Sequence, residues 1–202
     1  MSNHQPAEGS VKFACHLTLA EIVIPDALFH PLNHWRNLLH EKGLIGAYPD
    51  GIGYGNISVR VPGSGCFYIS GTATGAIQVL EMIHFALVER SDSEHNALWC
   101  KGQINASAES MSHAAIYEAA PDSQAVVHIH NRQLWEKYKG VLPTTSEEIE
   151  YGTPAMAAEI RRMVATPELA EGRILVMGGH EEGIISFGNT VGEAARVVLQ
   201  LF

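Results

Sequence analysis

The stretch AVVHIH, residues 125–130, limits what this chain can fold into more than any other part of it. Ala125, Val126, Val127 and Ile129 are apolar, and the β-branched members suit a strand inside a sheet. His128 and His130 interrupt the run two residues apart, which on a strand puts both imidazoles on one face. Two imidazoles buried side by side each need a donor or an acceptor. A divalent cation satisfies both, since zinc binds imidazole nitrogen at ~2.0–2.1 Å. The expected framework is a sheet built around this strand, with a polar site at one end of it.

The neighbouring pattern supplies the sheet and its helices. Asp26 is expected to cap a helix running through Leu28, Leu32, Trp35, Leu38 and Leu39 and stopping near Gly43. Ile57, Val59 and Val61 alternate with polar residues, a Gly-Ser-Gly turn follows, then Phe67, Tyr68 and Ile69. That reads as a β-hairpin with Gly- and Thr-rich loops at its ends. FALVE and ALWC read as two more strands, and SAESMSHAAIYEAA as a helix with Ser107 at its N-cap. A helix at TPAMAAEIRRMVAT, strands at RILVMGG and IISFG, and a terminal helix at TVGEAARVVLQLF complete the set, the last with Thr190 and Glu193 as a capping box. Central strands with helices before, between and after them predict an α/β fold, a three-layer sandwich whose central sheet is largely antiparallel and flanked by helices. Residues 1–25 read as an N-terminal arm and 26–202 as one domain.

Composition narrows the partners. With 202 residues the chain can enclose one sizeable core. A net charge of −9 argues against nucleic acid or an anionic membrane as the main partner. Cys15, Cys66 and Cys100 are widely spaced and odd in number, which suits reduced thiols in a cytoplasm better than a disulfide framework. The start MSNHQPAEGS lacks a basic, apolar leader, and no run of about 18 apolar residues occurs, so a soluble cytoplasmic protein is expected.

A metal held by His128 and His130 needs a third ligand, and His180 is the best candidate because Gly178 and Gly179 let a loop carry it to a neighbouring strand end. His4, His16, His30, His34, His40, His84 and His95 show no partner pattern. Glu109 starts the helix that feeds the histidine strand. Its carboxylate reads either as a base facing the metal pocket or as a favourable charge at a helix N-terminus.

Six segments in order resemble the class II aldolase/adducin family, whose members include L-fuculose-1-phosphate aldolase and L-ribulose-5-phosphate 4-epimerase. They are GNISVR (55–60), ISGTATG (69–75), SAESMSHAAIY (107–117), PDSQAVVHIH (121–130), YGT (151–153) and GGHEEGIISFG (178–188). The resemblance implies that His128, His130 and His180 hold a catalytic zinc or another divalent metal, and that Glu109 moves a proton while the metal stabilises an enediolate. It also places substrate anion recognition on Gly55, Asn56, Thr72 and Ser107. Two departures stand out. Ala108 replaces a serine of the anion site, so a smaller anion such as a carboxylate is an alternative to phosphate. The segment between His130 and Tyr151 is shorter than in the family aldolases, Tyr138 does not align with the family's acid tyrosine, and no C-terminal catalytic tail is expected. The resemblance thus implies a metal-dependent lyase of carbohydrate metabolism, cleaving a C–C bond in a small hydroxy-carbonyl compound, with sites at the interfaces of a homotetramer. Decarboxylation, dehydration and epimerisation use the same strategy, and a non-catalytic adducin-like assembly domain is the alternative from another class.

Overall fold

The computed structural model describes residues 11–202, so His4 and the start of the expected arm lie outside the described residues. One eight-stranded sheet runs through the protein, in the spatial order β1 (Ala14–Leu19), β7 (Ala97–Gly102), β6 (Phe85–Asp92), β5 (Phe67–Ser70), β4 (Asn56–Arg60), β8 (Ala125–His130), β10 (Gly183–Gly188) and β9 (Ile174–Val176). All neighbours are antiparallel except β1 and β7. The strand at Ala14–Leu19 therefore places part of the expected arm in the main sheet. A two-stranded ribbon pairs β2 (Gly46–Ala47) with β3 (Gly53–Tyr54).

Helices cover both faces. On one, α2 (Ser110–Ala119), α4 (Pro154–Val164) and α5 (Pro167–Gly172) enclose a core of Ile69, Val126, Met156, Ile160, Ile185 and Phe187. On the other, α1 (Asp26–Glu41), α3 (Arg132–Tyr138) and α6 (Val191–Leu199) enclose Ile57, Leu32, Val127, Ile129, Trp135 and Val198. This is the three-layer α/β sandwich that the element pattern predicts. The strict alternation along β8 divides its apolar residues between the two cores, Val126 to one and Val127 and Ile129 to the other. No helix among the described residues is long and apolar enough to cross a membrane.

Some local signals differ from what the structure shows, for physical reasons. Thr190 caps α6 as expected, accepting from the Glu193 N–H, but the Glu193 carboxylate reaches Asn189 N–H at 3.0 Å, one residue beyond the reciprocal position. Asp26 is not the cap of α1. It is already helical, after Pro25, whose fixed φ of −53° starts the helix without a side-chain acceptor. Two α-helices are not expected from the sequence pattern. Asn131 caps α3 immediately after β8, accepting from Leu134 N–H, and Thr166 caps α5.

Two buried polar side chains fix the frame around β8. Arg36 on α1 donates to the carbonyls of Thr74, Gly75 and Gln78 at 2.9–3.2 Å, binding the GTATG loop to the helix layer. Burial pulls its guanidinium down to about 10, so it remains charged at neutral pH. On the opposite face His113 sits fully buried, with Nδ1 2.7 Å from Ser58 Oγ, which is itself 2.7 Å from the Tyr117 hydroxyl. Its Nε2 has no hydrogen-bond partner among the described residues, and burial lowers its pKa from 6.5 to about 3. Between those values the unfolded chain binds a proton that the folded chain refuses, so stability falls as pH drops through this window. Replacing His113 with Gln should remove about one proton, roughly 1.4 kcal/mol per pH unit, from the slope of unfolding free energy against pH between about 6 and 4. Urea titrations of metal-free protein across that range check it; an unchanged slope would assign the acid sensitivity elsewhere.

Candidate metal centre

Three elements converge at the end of β8. His128 and His130 project from the same face of the strand, and both are almost fully buried. His180 follows β9 on a tight turn, its N–H donating to Met177 O at 3.2 Å and its carbonyl accepting from Gly183 N–H at 3.0 Å. The glycines before it are required by space, since a Cβ on Gly179 would collide with the Ile149 carbonyl and one on Gly178 with the Thr145 carbonyl. Trp135 Nε1 donates to Met177 O at 2.8 Å and so ties α3 to the same turn.

The three imidazoles face one another. Ring centroids lie 4.7–5.1 Å apart. Their candidate ligand atoms lie within 4.8 Å of one another, close enough for one ion to meet all three after small side-chain rotations. Burial, reinforced by the neighbouring rings, pushes His128 and His130 well below 6.5, so both are neutral and offer a lone pair. His128 Nε2 is buried with no hydrogen-bond partner among the described residues, a state that costs ~1–3 kcal/mol and that a bound cation would relieve. The donor set therefore fits a divalent metal, and three imidazoles suit zinc among others.

Glu109 lies beside these rings. It is 2% exposed, with Oε1 3.5 Å from His180 Nδ1 and Oε2 accepting from Ser112 Oγ at 2.7 Å. Its backbone occupies the N-cap position of α2, which corrects the expectation for Ser107. Ser107 falls short because its carbonyl accepts from Ser110 N–H and from Ser110 Oγ, holding a turn that precedes the helix. Glu109 does not cap with its own carboxylate, which is turned toward Ser112 and the histidines.

A cavity of about 210 Å³ opens beside the histidines, lined by Gly55, Asn56, Thr72, Ser107, Ala108, Glu109, His128 and His180. All four residues expected to meet an anion thus share one cavity with the carboxylate and two of the three imidazoles. Its size lies below the ~300–1,000 Å³ of drug-sized ligand pockets and suits a compact molecule. The GTATG loop forms one wall. Ala73 there has φ of 57°, and among the described residues no acceptor meets the N–H groups of Ala73, Thr74 or Gly75. Successive unpaired amides around a left-handed residue make an anion-binding nest. The Thr74 hydroxyl is spent on Gly71 O at 2.8 Å and holds the loop's shape. Arg60, the one arginine in the matching motifs, donates to Ser123 O and Tyr117 O at the far end of β4 from the cavity.

Several residues at the site have no role assigned to them by the sequence. The Tyr48 hydroxyl lies 2.9 Å from His130 Nδ1, Tyr54 stacks on His130, and Tyr151 stacks on His180 at 4.1 Å. Asn56, expected to meet an anion, has its Nδ2 3.2 Å from His128 Nδ1, so it also backs a candidate ligand. Tyr138 is remote, donating to Leu201 O at 3.1 Å, and does not take the place of an acid tyrosine.

Solved structures share this fold. L-fuculose-1-phosphate aldolase from Thermus thermophilus superposes with a TM-score of 0.62 at 19% identity, covering 86% of this chain and 88% of that one. YgbL from Klebsiella pneumoniae, a candidate aldolase/epimerase/decarboxylase, gives 0.65 at 17%, covering 89% and 87%. An aldolase II superfamily protein from Pseudomonas syringae gives 0.58 at 22%, covering 89% and 73%. At these identities the likeness concerns the fold alone. No curated protein sequence matches the chain. The family profile described as Class II Aldolase and Adducin N-terminal domain matches residues 50–201, which takes in the hairpin, the histidine strand and the Gly-Gly-His turn. The chain belongs to the class II aldolase/adducin family.

Proposed function

We propose that the protein is a metal-dependent lyase that cleaves a C–C bond in a small hydroxy-carbonyl compound. The observation that carries this reading is the buried cluster of three imidazoles with a buried carboxylate at its side, opening on a cavity with an anion-binding wall. An assembly domain gains nothing from such a cluster, whose burial is costly without a ligand. His128, His130 and His180 would hold the metal, which when bound would supply Lewis acidity toward substrate oxygen atoms. Glu109 is the proton-transfer group: it is buried beside the imidazoles, and Ser112 orients one of its oxygens.

The amides of residues 73–75, with Gly55, Thr72 and Ser107, bind the substrate's anionic end. Asn56 serves two purposes here. If His128 Nε2 faces the metal, Nδ1 carries the proton, and the Asn56 amide turns its oxygen to that N–H; its NH2 group then faces the cavity as a donor. Among the described residues no cationic side chain lines this cavity, and Ala108 contributes no hydroxyl, so the anion is a carboxylate or a weakly held phosphate. Decarboxylation and epimerisation remain alternative outcomes of the same site, in line with the description of YgbL. The expected homotetramer and cytoplasmic setting belong to this proposal too; Cys15 and Cys100, unbonded with their sulfurs 3.7 Å apart, suit a reducing compartment.

Elemental analysis of purified protein should find about one divalent ion per chain, and His128→Ala should lose most of it. Equal metal in both would contradict the site. On a substrate found by screening hydroxy acids, keto acids and sugar phosphates, Glu109→Gln should lower the rate by about 10²–10⁴ with metal retained. Full activity in that variant would remove Glu109 from the chemistry, and turnover of none of these classes would remove the lyase reading.

A further inference from the structure

Beyond the ligands, one chain of hydrogen bonds runs outward from the site. Tyr48 donates its hydroxyl proton to Glu182 Oε2 at 2.7 Å. A phenol has a single proton, so toward His130 Nδ1, 2.9 Å away, the same oxygen can only accept. His130 must then carry its proton on Nδ1 and keep its lone pair on Nε2. Arg132 Nε donates to Glu182 Oε1 at 3.1 Å, and the same guanidinium meets Glu181 at 2.6 Å. We propose that Tyr48 and Glu182, held by Arg132, are positioning residues that fix the tautomer and aim of His130 and so set the affinity of the metal site.

Three further observations support this. Glu182 holds φ of +69°, a left-handed conformation that glutamate rarely adopts and that costs ~1–3 kcal/mol. Its carbonyl accepts from Asn131 N–H at 3.0 Å, so the strained residue is pinned to the cap that follows His130 in the chain. Its side chain is 17% exposed, whereas that of Arg132 is 56% exposed. The Tyr48–Glu182 link is therefore sheltered, and the outer ion pair adds little by itself. A carboxylate behind a metal-binding histidine also raises the basicity of the ligand nitrogen, and removing such partners costs about 10–100-fold in metal affinity.

The inference rests on the metal-site reading above, and one experiment separates the two. Zinc affinity is measured by competition with a chromogenic chelator for wild type, Tyr48→Phe, Glu182→Gln and Tyr138→Phe. Phenylalanine keeps the ring packed on Tyr54 and removes the hydroxyl alone. Tyr48→Phe should bind zinc about 10–100-fold more weakly, while its metal-free melting temperature stays at the wild-type value. Glu182→Gln, still able to accept from Tyr48, should lose less. Tyr138→Phe, altered at a hydroxyl outside the site, should bind as wild type does. In the zinc-loaded wild type, nitrogen NMR should show His130 protonated on Nδ1. Zinc binding by Tyr48→Phe within twofold of wild type, or a His130 protonated on Nε2, would overturn the relay and leave the metal site standing. Failure of wild type to bind zinc would overturn both.

Discussion

Burying two imidazoles on an interior strand of a sheet sets the terms for everything around them. Neither ring is charged at neutral pH, because burial and the neighbouring rings hold His128 and His130 well below 6.5. Neither can be left without partners, because an unsatisfied buried nitrogen costs as much as a whole hydrogen bond contributes. The protein answers on one side with protein groups: Asn56 at His128 Nδ1 and Tyr48 at His130 Nδ1. On the other side it converges three rings and a carboxylate on one point. A cation bound at that point would satisfy the buried nitrogen that protein groups leave over.

The surrounding frame is rigid where the site needs it. Gly178 and Gly179 let the turn before His180 pass against the carbonyls of Thr145 and Ile149. Arg36 fastens the GTATG loop from behind through the carbonyls of Thr74 and Gly75, and the residues after it through that of Gln78, so the loop's amides are presented with no cationic side chain among the described residues lining the cavity. Charge is thus used structurally on one side of the loop, and dipoles are offered to a ligand on the other.

The sequence discloses whatever repeats locally. The alternation in β4 and β8, the same-face spacing of His128 and His130, and the Thr190 cap depend on residues within a few positions of one another, and all are readable. Glycines ahead of His180 are readable too, because close passage needs a residue without a side chain. What cannot be read depends on distant partners. Tyr48 meets His130 across 82 positions and Glu182 across 134, and Arg36 meets its loop across about 40. A tyrosine or arginine on an ordinary helix or turn gives no local sign of such a role. His113 is likewise silent, because its partner Ser58 lies 55 positions away. The misplacement of the α2 cap at Ser107 has the same origin: Glu109 holds the N-cap position, while its carboxylate is directed by Ser112 and His180 rather than by the helix end.

The central claim is that three imidazoles and no sulfur hold one metal in a site left open for substrate. X-ray absorption at the zinc edge of zinc-loaded protein tests it most directly. The account predicts three imidazole shells with zinc–nitrogen distances of ~2.0–2.1 Å, completed by oxygen from water or Glu109. A sulfur shell at ~2.3 Å, or a spectrum without imidazole scattering, would contradict it.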